Sequence, residues 1–166
     1  VEPKFITDVN VGKLGKWLRL MGYDTLFFDE QDDGLMVKAA IAQGRIILTK
    51  DSEFMKRRAI STGRVKAVLV GSDRPDQQLS TVINTLELTK EYRPFTRCLK
   101  CNSMLISRSK HEVEGSVPER VYEKQEQYMQ CPSCRRIYWK GTHWQAMSGK
   151  LSRLASAQQE KKGEDL

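Results

Sequence analysis

Hydrophobic positions follow two rhythms over the first 89 residues. Phe5-Ile6-Thr7 stops at Asp8, and Thr25-Leu26-Phe27-Phe28 stops at Asp29. Arg45-Ile46-Ile47-Leu48-Thr49 ends just before Asp51, and Lys66-Ala67-Val68-Leu69-Val70 ends at Gly71. Each run is short, β-branched or aromatic, and bounded by turn residues, which predicts a buried parallel strand. Helical spacing fills the gaps. Leu14, Trp17, Leu18 and Met21 lie at i, i+3, i+4 and i+7, with Gly22 as the stop. Leu35, Val37, Ala39, Ala40 and Ile41 predict a second helix ended by Gly44. A third is expected over 52–62, with Ser52 as N-cap and Gly63 closing it. A fourth is expected over 75–88, with Leu79, Val82, Ile83 and Leu86 on one face. Four consecutive βα units imply an α/β domain with a doubly wound parallel sheet.

After residue 89 the pattern changes. Residues 89–97 read as a linker, and a cysteine-containing module then runs to about residue 147. Residues 148–166 are polar, with only Leu151, Leu154 and Ala155 as anchors, so a frayed helix passing into a partly disordered tail is expected. The expected organisation is therefore 1–89, 90–147 and 148–166.

Charge separates the parts further. Residues 1–89 carry 13 Lys/Arg against 12 Asp/Glu, whereas residues 90–166 carry 15 against 9, so the second part holds +6 of the net +7. A basic module suggests a polyanion, and nucleic acid is favoured over a membrane surface because no basic amphipathic helix stands out. No apolar run approaches the 18 or more residues of a membrane span, and no signal-peptide pattern is seen. The cytoplasm is the expected compartment, where paired cysteines signify metal more often than disulfide.

Cys98-Leu99-Lys100-Cys101 and Cys131-Pro132-Ser133-Cys134 are two CxxC pairs separated by 29 residues. Each tight turn presents two sulfurs, and two turns complete a thiolate tetrahedron with no position left for water. A closed, structural Zn²⁺ site is expected, with a hairpin or loop through Lys110, Glu114 and Pro118 between the turns. His111 and His143 are not needed as ligands. Tyr128, Arg135, Arg136, Tyr138, Trp139, Lys140, His143 and Trp144 interleave cations with flat rings around the second pair. Single-stranded RNA is held in that manner, phosphates meeting cations and bases stacking on rings. Arg97 and Lys100 extend the same basic surface beside the first pair.

In a doubly wound sheet, ligands sit beyond the carboxyl ends of the strands. Asp8 follows the first run directly, and Asp51 and Glu53 follow the third. If the strand order is 2-1-3-4, these carboxylates meet in one crevice. Asp29, Glu30, Asp32 and Asp33 follow the second run, and one of them could reach in from its helix start. Such an oxygen-rich set suits Mg²⁺ or Mn²⁺, held first by Asp8 and Asp51, which can activate water and stabilise a displaced phosphate oxygen. Asp51 and Asp33 can alternatively be helix caps. Lys13, Lys16 and Lys50 are expected at the rim, where they can guide phosphate.

The segments FITDVNVGKLGKWLRLMGYDTLFF, RIILTKDSEF, RCLKCNSML and CPSCRRIYWKGTHW together resemble the C-terminal domain of mutator-type 3′–5′ exoribonucleases, over about residues 4–147. That domain is also found as a free-standing prokaryotic protein, and this chain is similar to the free-standing form. The resemblance implies a PIN-like ribonuclease fold followed by a zinc ribbon. It places Asp8 at the metal-binding Asp after the first strand, and Asp51-Ser52-Glu53 at the later acidic pair with Glu in place of its second Asp; for the further acid on a helix Asp33 is the choice. Two functions compete: an RNA-binding, PIN-like ribonuclease cutting with divalent metal, and a non-catalytic RNA-binding module supporting a partner nuclease. A phosphoacceptor domain is disfavoured, because Val9 and Asn10 stand where adjacent acids or Asp-x-Asp would be needed.

Overall fold

A computed structural model describes residues 2–88, 93 and 95–164, with side chains described through residue 154. Residues 89–92 and 94 of the expected linker lie outside the described residues. The chain forms two compact units, Val1–Arg93 and Pro94–Leu166.

The first unit alternates β1 (Lys4–Thr7), α1 (Gly12–Leu20), β2 (Thr25–Phe27), α2 (Asp33–Gln43), β3 (Arg45–Thr49), α3 (Arg58–Ser61), β4 (Ala67–Leu69) and α4 (Pro75–Leu86). All four strands are parallel, in the order β2-β1-β3-β4. Alternation along the strands sorts the core between the two faces of the sheet. Ile6 and its register partner Ile47 are fully buried and join Met36, Val37 and Ala40 of α2, together with Phe54 and Val65. Phe5 and Leu48, one position away, turn to the other face, and the Phe5 ring meets Tyr23 edge-on at 5.7 Å. The Tyr23 hydroxyl donates to the Leu88 carbonyl at 2.7 Å, tying the end of the unit back to its start.

Close packing explains two small residues. A Cβ on Gly15 would lie 2.3 Å from a ring carbon of Phe27, so α1 can approach β2 only with glycine there. Gly44 closes α2 in the left-handed conformation, φ 64, as its position in the sequence predicts. The third helix departs from expectation. Residues 54–56 form a 3-10 turn, Arg57 is extended (φ −58, ψ 138), and only Arg58–Ser61 is α-helical. Phe54 is buried in the core, whereas Glu53 and Lys56 are exposed.

The second unit is a three-stranded antiparallel sheet, β5 (Ile106–Arg108), β6 (Tyr128–Gln130) and β7 (Ile137–Tyr138), in that order. Between β5 and β6 the chain makes the expected excursion, through a 3-10 turn at His111–Val113 and α5 (Glu119–Lys124). Val113 and Tyr128 are buried beneath it. α6 then runs over Thr142–Glu164 as one helix, anchored by the buried Leu151. A frayed helix giving way to a disordered tail was the sequence expectation for this stretch. The last two residues lie outside the described residues.

Candidate functional site: a four-cysteine cluster and an acidic sheet edge

Cys98, Cys101, Cys131 and Cys134 offer sulfurs that all lie within 4.8 Å of one another, and none is in a disulfide. Cys98 and Cys134 Sγ are 3.7 Å apart. Thiolates about 2.3 Å from one tetrahedral ion would be separated by about 3.8 Å, so the donor set fits a metal ion such as zinc. The two turns share one geometry. Backbone N–H groups of Cys101 and Cys134 donate to Cys98 and Cys131 Sγ at 3.3 and 3.4 Å. Burial resists ionisation of Cys131, but N–H donors from Cys134 and Ser133 outweigh it and bring its pKa down to about 7. The hydrogen bond with Cys134, burial and the neighbouring sulfur charge push Cys101 up to about 12. Crowded sulfurs cannot all ionise without a cation, and a divalent ion removes that conflict.

Tyr138 was expected at an RNA surface, and its hydroxyl instead lies 3.1 Å from Cys98 Sγ. The Leu99 N–H donates to the same hydroxyl oxygen at 3.1 Å, leaving the hydroxyl hydrogen for the sulfur. Burial and this bond raise the Tyr138 pKa, so it stays a donor. Arg97 is likewise turned inward, its guanidinium donating to the Asn102 carbonyl at 2.9 Å within the first cysteine turn. Both side chains brace the cluster. Lys100 and His143 are exposed.

The remaining rings and cations fall into two clefts of this unit. Phe95, Tyr128, Lys140 and Trp144 help line a cavity of about 420 Å³. There Trp144 packs edge-on against Phe95 at 5.8 Å, with the Lys140 ammonium 5.3 Å from its ring centre. Arg135, Arg136 and Trp139 help line a second, of about 520 Å³.

In the first unit the parallel sheet carries an acid beyond the carboxyl end of every strand: Asp8 after β1, Asp29 after β2, Asp51 after β3 and Asp73 after β4. β1 and β3 are the adjacent central strands, with Thr7 paired to Leu48. Asp8 is half-buried and Asp51 exposed, and among the described residues neither is in an ion pair. Each accepts a backbone N–H two residues on, from Asn10 and Glu53, both at 2.9 Å. Asp51 N–H in turn donates to Thr49 Oγ1 at 3.1 Å, fixing the turn at the strand end. The other two acids have cationic partners: Glu53 pairs with Lys56 at 2.8 Å, and Asp33 with Arg57 at 3.5 Å. The Asp33–Arg57 pair ties the start of α2 to the segment that follows β3. The cap of α2 is Asp32, not Asp33, its carboxylate accepting from Leu35 N–H at 3.1 Å. Among the described residues, the cysteines are the set of three or more potential ligands gathered within 4.8 Å, and the acids are not.

Asp73 escaped the sequence reading. It lies four residues past β4 and binds Lys50 at 2.6 Å, so a lysine expected to guide phosphate is already partnered. Lys50 lowers the Asp73 pKa through that bond and its charge. Its signal was present, since Asp73 precedes the Pro75 start of a helix just as the other acids precede theirs. Lys13 and Lys16 are exposed on α1. No helix of the described residues is long and apolar enough to cross a membrane.

Neither a curated protein nor a solved structure matches the chain. A family model does, described as the Mut7-C RNAse domain, over residues 3–151. That span takes in both the acidic sheet edge and the four cysteines, and it gives the chain a ribonuclease-related, RNA-associated role. The chain belongs to the Mut7-C RNAse domain family.

Proposed function

We propose that the chain is an RNA-binding, PIN-like ribonuclease that uses Mg²⁺ or Mn²⁺ at the acidic sheet edge, with Zn²⁺ in the four-cysteine cluster. One observation carries this reading: Asp8 and Asp51 follow the two adjacent central strands of a parallel sheet and, among the described residues, have no cationic partner. Ligands of such sheets bind beyond the carboxyl ends of the strands, and oxygen donors there suit hard divalent ions. A bound ion would lower the pKa of water and stabilise the oxygen leaving the phosphate. Glu53, two residues past Asp51, and Asp33, at the start of α2, complete the proposed catalytic set, and each is paired with a cation, Lys56 and Arg57. In this reading Zn²⁺ is structural, because four sulfurs leave no open position. The basic second unit holds the RNA, as a single strand, in the cytoplasm.

A second reading is favoured by a different observation. The acidic ligand atoms are not gathered as the sulfurs are, and each carboxylate already has a local partner. A non-catalytic RNA-binding module supporting a partner nuclease would have that arrangement. Manganese binding separates the two. The zinc-loaded chain is titrated with Mn²⁺ and the free-ion paramagnetic resonance signal is followed, beside the Asp8→Asn, Asp51→Asn double variant. Asn keeps an acceptor oxygen for each turn, so the variant should fold. Loss of free Mn²⁺ signal with the parent chain alone supports the nuclease; equal signals from both would leave only the binding module.

A further inference from the structure

The two cysteine turns are built alike and differ at one informative position. Asn102 and Arg135 each follow the second cysteine of their pair, and each donates its N–H to the carbonyl of the first, at 2.9 and 3.0 Å. Both are in the left-handed conformation, φ 66 and 67. Asn tolerates that conformation and Gly adopts it freely, but a long side chain such as Arg is disfavoured there. A disfavoured residue held at such a position calls for a use of its side chain.

The surroundings supply one. Arg135 and Arg136 are exposed, and among the described residues neither guanidinium is in an ion pair or a side-chain hydrogen bond. They flank the cavity of about 520 Å³ together with Trp139, Gln130, Ser116 and Ile137. The Gln130 amide donates to the Arg135 carbonyl at 3.0 Å, fixing the turn that presents the arginine. Two unpaired guanidinium forks beside a half-buried indole match a phosphate joined to a flat base.

We infer that this pocket holds one nucleotide of an unpaired RNA strand, its phosphate at Arg135 and Arg136 and its base against Trp139. The inference rests on the RNA-binding half of the function proposed above and needs no cleavage. A duplex cannot fill the pocket in this way, because its bases are already stacked and paired.

The test uses the zinc-loaded full chain, a fluorescently labelled ten-nucleotide single-stranded RNA and a labelled blunt-ended RNA duplex, with anisotropy read across a salt series. Arg135→Gly removes the guanidinium and the backbone strain together. Its melting temperature should equal or exceed that of the parent chain, while single-strand affinity falls about tenfold, as for one charge-assisted hydrogen bond. The slope of log K against log salt should become shallower by about 0.7, one phosphate contact. Trp139→Leu should weaken the single strand without changing the slope, since stacking releases no counterions. Duplex binding should be unaffected by either change. Arg135→Gly binding the single strand with parental affinity and slope, or weakening the duplex equally, would overturn the pocket while leaving RNA binding intact. Failure of the parent chain to bind either RNA would overturn the RNA-binding proposal itself, and the pocket with it.

Discussion

Replacing Tyr138 with Phe isolates the contribution of one hydroxyl to the cysteine cluster. The ring packs beside Cys98, Leu105 and Cys131, and Phe preserves that packing. What is lost is the 3.1 Å contact with Cys98 Sγ and the acceptor for Leu99 N–H. Leu99 is half-buried, so water can replace the second partner, and the sulfur bond dominates the effect. A hydrogen bond to a charged group contributes about 1.5–3 kcal/mol. That corresponds to about 10- to 150-fold in a binding constant, and lost outer-shell partners of metal sites cost about 10- to 100-fold. The zinc dissociation constant of Tyr138→Phe, measured by competition with a chromogenic chelator, should therefore rise at least about tenfold. Ser133→Ala is the control. Ser133 is exposed and touches Ser103 Oγ at 3.1 Å but donates no side-chain bond to sulfur, so it should stay within about twofold. A Tyr138→Phe constant no different from that control would refute the assignment of the hydroxyl hydrogen to Cys98.

Gly15→Ala should destabilise the first unit by about 1–3 kcal/mol in urea unfolding, because its methyl meets the Phe27 ring at 2.3 Å; an unchanged midpoint would mean that α1 does not approach β2 so closely. Zinc binding should release fewer protons as pH rises through about 7, because Cys131 then ionises without the metal, whereas Cys101, held up to about 12, must still be deprotonated by it. Calorimetry in buffers of different ionisation enthalpy counts those protons, and a count constant from about pH 6 to 8 would contradict the lowered Cys131 pKa.

The parallel sheet was legible because its strands are short β-branched runs cut off by Asp or Gly, and its helices show regular spacing ended by Gly22 and Gly44. The third helix was misread for a local reason. Apolar spacing over 52–62 fits one helix, but burying Phe54 is achieved by a 3-10 turn, and extended Arg57 breaks the path before α3. CxxC spacing carried the gathering of the four cysteines, since sulfur geometry follows from the turns themselves. The braces of that cluster were illegible. Composition shows a tyrosine and an arginine among basic and aromatic neighbours, not that Tyr138 aims at Cys98 or Arg97 at Asn102. The ion pair of Lys50 was illegible for the complementary reason that its partner Asp73 comes from a different strand end, which only the sheet order brings near. Left-handed Arg135 was hidden too, although its counterpart Asn102 is a residue type that favours that conformation.

Cleavage of RNA bears most directly on the acidic sheet edge. Labelled single-stranded RNA is bound to saturating zinc-loaded chain, Mn²⁺ is added, and strand breaks are followed by gel electrophoresis beside the Asp8→Asn, Asp51→Asn variant. Metal-dependent breaks made by the parent chain, and abolished in a variant that still binds the RNA, are the expected result. An RNA strand left intact by a parent chain that binds it with Mn²⁺ present would contradict catalysis at Asp8 and Asp51.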